Sequence, residues 1–387
     1  MAEYLTNTTD LTKVATAIRE KGGTSDPLVY PDGFVTAIQA IQAGTELQII
    51  VSVTSGATVT ATKGSLSVSG TSVNNSCTLV VPEGGEWTVS ATLDGKTSDS
   101  NIVNVVSSYD TSLVFIPALN DNSWETIRRI SDAGTGANYW SIGDCKAVTV
   151  NGTVGTQAVN STYYVYIIGF NHNSSKEGNG ITFGTFKTAL YGGMDICLVD
   201  GKYNISSTNG TKYFNMNHSS NTNAGGWKGC DLRYDVLGST NTNDGDATAT
   251  TATNPVAKTL MSALPSDLRA VMKPMTIYTD NTGGGSDNAS YVTKTTDYLP
   301  LLAEYEIFGT SRYANSAEKN YQAQYAYYSA GNSKVKYRHS ATSSTAWWWE
   351  RSPNYYTSNY FCIVGPFGAA NGNDAMISYG VAPAFRV

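Results

Sequence analysis

Apolar residues first recur at helical spacing. Leu11, Val14, Ala15 and Ile18 share one face of a segment that Asp10 would cap and Lys21-Gly22-Gly23 would close. After Pro27 and Pro31, a second run starts near Asp32, places Phe34, Val35, Ile38 and Ile41 on one face, and stops at Gly44. The pattern predicts a short helical segment over residues 1–45. Two short helices bury little surface by themselves, so their stripes imply docking onto the next domain or, more sharply, self-assembly or attachment to a larger particle.

From residue 46 the period changes to two. Ile49, Val51 and Val53, then Val59 and Ala61, Leu79 and Val81, Trp87, Val89 and Ala91, and Val103 and Val105 alternate with polar residues. Pro82-Glu83-Gly84-Gly85 and Leu93-Asp94-Gly95-Lys96 read as turns. Short strands at this spacing predict a small Ig-like β-sandwich spacer over 46–107, with Trp87 at its centre.

Residues 108–387 form the largest expected domain. Ser123 caps a helix carrying Trp124, Ile127 and Ile130, and Tyr163–Phe170 reads as a strand. Residues 257–272 read as a helix kinked or split at Pro265. The polar stretches 238–254 and 279–296 read as exposed loops, with Gly283-Gly284-Gly285 flexible. If Leu301–Phe308 is a strand, Glu304 and Glu306 share a face and form paired acids, or simply a salt-bridged surface. The expected fold class is α+β, mostly β.

Composition narrows the function. Charged residues make up 14% of the chain, against about 25% on average, while Tyr (25) and Gly (37) are abundant. Such a surface suits adaptable hydrogen bonding, with Tyr supplying contact area. A net charge of −6 without a Lys/Arg cluster argues against nucleic acid. No stretch is long and apolar enough for membrane insertion, and the opening residues, lacking a basic or apolar run, imply synthesis in a cytoplasm. Five cysteines, Cys77, Cys145, Cys197, Cys230 and Cys362, are odd in number and show no C-x-x-C, which predicts buried, reduced thiols. His172, His218 and His339 are scattered, and no nucleophile or nucleotide motif occurs. The expectation is a non-enzyme with no catalytic residue, no metal ligand and no cofactor.

Two resemblances add to this reading. Leu11 to Thr24, followed by Tyr30-Pro31-Asp32-Gly33-Phe34, resembles the opening segment of tail-associated proteins of phages and prophages of gut Firmicutes. Trp347-Trp348-Trp349-Glu350-Arg351-Ser352-Pro353, then Phe361-Cys362, Gly368, Ala375 and Ser378 to Phe385, resembles the variable C-terminal domains of diversity-generating retroelement target proteins. Tyr139 to Asp144, Ile168 to His172, Gly180 to Gly184, Gly226-Trp227 with Asp231 to Arg233, and Leu301-Leu302 with Glu304 to Gly309 extend the likeness over nearly all of 110–387. It implies a C-type-lectin-like (formylglycine-generating-enzyme-like) domain over 108–387, in a receptor-binding protein of the phage tail and hence of the virion. The Trp motif and the tail to Phe385 would be scaffold strands. The residues between them would be the surface that adenine-directed mutagenesis diversifies.

That surface comprises Asn354, Tyr355, Tyr356, Thr357, Ser358, Asn359 and Tyr360, then Ile363, Gly365, Phe367 and Ala369, and finally Asn371, Gly372, Asn373 and Asp374. Independently of the resemblance, Tyr anchors among small polar residues are what paratopes use, with Tyr355, Tyr356, Tyr360 and Phe367 as the anchors of one patch. The implied partners are a bacterial surface protein or glycan, and tail proteins through the N-terminal segment of a homotrimer. A structural tail or baseplate decoration is the alternative. The Glu-Pro-Asn, Gln-Pro-Asp and Trp-Asn-Asp motifs of calcium-dependent lectins are missing, which argues against sugar binding through calcium. Cys362 has no sequence partner of the kind a formylglycine-generating oxidase needs.

Overall fold

Two helices open the computed structural model, which describes residues 8–22, 27–40, 46–200, 214–339 and 341–387. Helix α1 (Thr8–Gly22) contains Asp10 in its first turn rather than at its cap, where the carboxylate complements the helix dipole. Helix α2 (Asp32–Ala40) packs on it through Ala15, Ile18 and Phe34, with Leu11, Leu28 and Ala37 alongside. The remaining edge of the stripe, Val14, Val35 and Ile38, stays about half exposed. Ile41 and Gly44 lie outside the described residues.

A two-sheet sandwich follows, and with the helices it belongs to a unit spanning Met1–Ile116. One sheet has the order β4 (Ser76–Val80), β1 (Gln48–Ser52), β8 (Ser108–Ser112). The other joins β3 (Leu66–Thr71), β2 (Thr58–Lys63) and β5 (Gly85–Leu93), to which β6 (Lys96–Thr97) and β7 (Asn101–Val105) both pair. The residues expected to face inward form one buried cluster around Trp87, whose Nε1 donates to the Glu83 carbonyl at 3.1 Å. The sandwich runs past its expected end at 107. Strand β8 pairs in parallel with β1, from Gln48↔Ser108 to Ser52↔Ser112, and Leu113 joins the core. Its mostly exposed polar residues hid it from an apolar pattern, because an edge strand can be held by backbone hydrogen bonds alone.

The structure as a whole is α+β and mostly β, and its second unit spans Pro117–Val387. Helix α3 (Trp124–Asp132) starts at Ser123, whose hydroxyl accepts from the Thr126 N–H at 3.1 Å. Strands β9 (Cys145–Val150), β12 (Ser161–Phe170), β13 (Ile181–Lys187) and β14 (Asp195–Ile196) build the main sheet, with the hairpin β10 (Thr153–Val154)–β11 (Gln157–Ala158) between the first two in sequence. Two short strands, β17 (Lys336–Tyr337) and β18 (Thr345–Ala346), extend the sheet beyond β14. The final strand β22 (Ala384–Arg386) pairs with β13, and Phe385 stacks on Phe183 at 5.4 Å, with Trp124 edge-on to both. A hairpin of β15 (Met275–Asp280) and β16 (Val292–Asp297) stands apart, as does a three-stranded sheet of β19 (Trp348–Pro353), β20 (Tyr360–Val364) and β21 (Ala370–Asp374).

One expectation holds here and two change. The helix over 257–272 is split at Pro265 into Leu260–Ala263 and Ser266–Val271. The stretches 238–254 and 279–296 are not simply exposed, since Ser239, Thr240, Thr251, Thr279 and Asp280 are buried. Glu304 and Glu306 lie on a short helix, Glu304–Phe308, not a strand. Glu306 reaches back to accept the Ala303 N–H at 3.0 Å, and Gly309 closes the turn in a left-handed conformation.

Trp87→Ala removes the largest side chain of the sandwich core and is expected to cost about 3–5 kcal/mol, read as a lower denaturant midpoint for that transition. An unchanged midpoint would mean Trp87 is not the core anchor.

Candidate functional site

The Trp motif is a buried strand. Trp348 and Trp349 are fully enclosed, and their indole N–H groups donate to the carbonyls of Lys334 (3.0 Å) and Phe214 (2.9 Å). Trp347, half-buried, leans on Tyr379 at 6.1 Å. The tail bridges Trp348 of β19 through Gly380, where a Cβ would stand 3.0 Å from the Trp347 carbonyl oxygen and 2.3 Å from the sulfur of Cys197, which follows β14. Arg351 is buried too. Its guanidinium grips Glu306 through two contacts of 2.6 Å and donates to the Leu301 carbonyl and the Thr279 hydroxyl, both at 2.8 Å. This fork ties β19 to the helix Glu304–Phe308 and to β15.

The loop 354–359 connects β19 to β20. Asn354 is buried, and its side chain accepts the Tyr356 N–H at 2.8 Å, an Asx-type turn. The wholly buried Asn223 holds the loop from beneath. Its Nδ2 lies 2.8–3.0 Å from the carbonyls of Asn354, Thr357 and Tyr360, and its backbone N–H donates to the Ser358 carbonyl at 2.7 Å. Its Oδ1 accepts from Gly284 at 2.7 Å. Gly283, Gly284 and Gly285 all have positive φ, and a Cβ on Gly285 would meet Thr357 and Ser358 backbone at 2.9 Å. Gly283 and Gly285 are therefore packed closely against Asn223 and the 357–358 backbone, while Gly284 between them is exposed.

On this support the rings of Tyr355 and Tyr356 meet at a tilt of 32° with centres 3.9 Å apart, and Tyr356 is 62% exposed. A hydrogen bond with the Tyr356 side chain pushes the Tyr355 hydroxyl up to about 12. Tyr313 stands edge-on to Tyr356 at 6.3 Å, and the Arg312 guanidinium lies 5.0 Å from the Tyr313 ring. Neither was foreseen from sequence, because no linear motif joins 312–313 to 355–356. The link is the backbone: the Tyr355 N–H donates to the Tyr313 carbonyl at 2.9 Å. The buried Glu304 sets that second loop by accepting the N–H groups of Arg312, Tyr313 and Ala314 at 2.8, 2.9 and 2.8 Å.

Other expected surface residues divide. Ser358, Ala369 and Asn371 are exposed, and Thr357, Asn359, Tyr360, Gly372, Asn373 and Asp374 are partly so. Asp374 accepts from Asn359 at 2.5 Å and from Asn221 at 2.6 Å, while Asn373 donates to the Tyr379 hydroxyl at 2.5 Å. Asn354, Ile363 and Gly365 are buried and offer no side chain to a ligand; Ile363 lies in β20, which has strands on both sides and is buried from Phe361 onward. Phe367, 89% exposed, sits in the turn after β20, roughly 13 Å of strand beyond Tyr360. The single patch expected around four aromatic anchors is thus two sites at opposite ends of one hairpin.

Two further features had no linear signature. A cleft of about 230 Å³ is walled by His172 stacked on Tyr325 (3.8 Å), Tyr278 stacked on Tyr321 (4.6 Å), Lys176 and Glu177. Burial lowers the His172 pKa and raises that of Glu177. Beneath the hairpin, Glu304, Glu350 and Cys362 bring ligand atoms within 4.8 Å of one another, a group able to hold a metal. The five cysteines are free and buried, as their spacing suggested.

Residues 201–387 match a family described as a domain of unknown function (DUF6273). The matched stretch contains β15 to β22 and the whole candidate surface. No curated protein matches the chain.

Scaffold and surface residues should separate on substitution. Trp348→Ala is expected to cost about 3–5 kcal/mol, whereas Tyr356→Ala leaves the melting temperature unchanged. Asn223→Ala strands buried carbonyls, costs about 1–3 kcal/mol, and speeds amide exchange across 354–360. Equal destabilisation by Trp348→Ala and Tyr356→Ala would place Tyr356 in the core.

Proposed function

We propose that the protein is a phage tail adhesin that binds a bacterial surface protein or glycan through its C-terminal unit. The observation that carries this reading is the tilted Tyr355–Tyr356 pair, with Tyr356 exposed and Tyr355 partly so, on a backbone pinned by Asn223, with Tyr313 and Arg312 beside it. Aromatic anchors cost little side-chain entropy on binding, and a preorganised loop lowers that cost further. The amide and carboxylate rim of Asn221, Asn359 and Asp374 supplies directional contacts at the same end of the hairpin. The likeness of the Trp motif and tail to retroelement-diversified proteins supports the reading, and with it a C-type-lectin-like fold for this unit. The sandwich then acts as an Ig-like spacer. The helical pair, with Val14, Val35 and Ile38 outward, attaches to the tail within a homotrimer in the virion.

Replacing Tyr313, Tyr355 and Tyr356 together by Ala should abolish particle attachment to the host while the protein keeps its melting temperature. Phe367→Ala tests the far end of the hairpin separately. Attachment undiminished by the triple substitution would favour a structural tail decoration and sink the adhesin reading.

Light scattering of the full chain should give three times the chain mass, and a chain beginning at residue 46 a smaller assembly. A full-length monomer at micromolar concentration overturns the trimer.

A further inference from the structure

Glu350 plays no part in the candidate surface, yet it is the most anomalous side chain beneath it. It lies on β19, is wholly buried, and neither carboxylate oxygen meets a hydrogen-bond donor among the described residues. A buried polar group is normally satisfied, and a buried charge is normally paired or bound to a metal. Its neighbours deepen the problem. Glu304 and Cys362 are fully buried beside it, and Glu318 adds a further acid nearby. Arg351, the cation on the same strand, is committed to Glu306 through both contacts of 2.6 Å. Burial, and then the charges of Glu304 and Glu318, drive the Glu350 carboxyl far above its usual range, and burial does the same to the Cys362 thiol.

We propose that Glu304, Glu350 and Cys362 together hold a zinc ion. The donor set selects the metal: a thiolate suits zinc, whereas calcium and magnesium take oxygen ligands. The geometry supplies three protein ligands: one oxygen of Glu350, both of whose oxygens are unpartnered, one oxygen of Glu304 and the Cys362 sulfur, which leaves the fourth position of tetrahedral zinc to a water. Glu304 is already oriented for this role. Its Oε2 takes the N–H groups of Arg312, Tyr313 and Ala314 at 2.8–2.9 Å, while Oε1 has a single longer contact of 3.2 Å from Tyr313. Such outer hydrogen bonds orient metal ligands. Tetrahedral zinc sets its ligand atoms about 3.3–3.5 Å apart, so the group, now within 4.8 Å, draws in slightly on binding. The ion displaces the thiol proton and the Glu350 carboxyl proton to solvent, with no change of oxidation state. Zinc here would bind the helix Glu304–Phe308, β19 and β20 at one point, and it does not depend on the adhesin reading.

The test is elemental analysis of the untagged full chain, produced in zinc-supplemented medium and freed of loose metal by gel filtration. About one zinc per chain is expected, falling to trace in Glu350→Gln and in Cys362→Ser. Those variants are destabilised if the ion matters, so a second measurement uses the unaltered protein. Chain produced with cobalt should show thiolate-to-cobalt charge-transfer absorption, retained in Cys230→Ser. Folded wild-type chain carrying only trace zinc and no such absorption overturns the proposal and leaves Glu350 a protonated acid. Zinc undiminished in both variants overturns it as well, by placing the metal elsewhere.

Discussion

The guanidinium of Arg351, held by Glu306 inside the C-terminal unit, is the contact on which the rest of that unit depends. Removing two charges from water costs several kcal/mol per ion, and only a well-formed network offsets it. Here the geometry is bidentate, and Thr279 and the Leu301 carbonyl take two more of the donors. Such a pair contributes little net stability but strongly penalises any other arrangement. A slip of β19 by one residue would turn Arg351 away from Glu306 and exchange the faces that Trp348 and Trp349 fill. The pair therefore sets the register of the strand from which the candidate surface is hung.

Support for that surface radiates from the same neighbourhood. Glu306 and Glu304 come from one short helix but act in different directions, the first on Arg351 and the second on the backbone of 312–314. The loop carrying Tyr313 then docks on Asn354 and Tyr355. From the other side Asn223 and the glycine run hold 354–360. The exposed aromatic rings thus rest on buried polar groups, most of which are themselves satisfied.

What could be read from the chain depended on how local its physics was. The sandwich was legible because one face of each strand is apolar and the period is two, so Ile49, Val59, Trp87 and Val103 fell into the core as expected. Strand β8 was not, since Ser108 to Ser112 is held by backbone pairing to β1. Leu301–Phe308 carried apolar residues without a decisive period, and the helix won through the Glu306 cap and Gly309. The candidate surface was marked by its flanking motifs and its Tyr content. Its depth was not: Ile363 and Asn354 look like their neighbours in sequence, yet Ile363 lies in a central strand buried on both faces and Asn354 is turned inward in an Asx turn. Asn223, Glu304 and Tyr313 act across long sequence separations, where no spacing rule applies.

The three carbonyls that Asn223 gathers belong to the main chain, and every amino acid supplies one. The path of the loop is consequently written in atoms that substitution cannot delete, while the outward side chains at 355, 356 and 358 are not among the groups that Asn223 holds. A segment built this way separates its heritable shape from its chemical content. It resembles a socket whose dimensions are fixed while its contents are exchanged, and many sequences can occupy it at nearly equal folding free energy. Gly372 marks one boundary of that freedom, for a side chain there would meet the Asn354 amide at 2.5 Å.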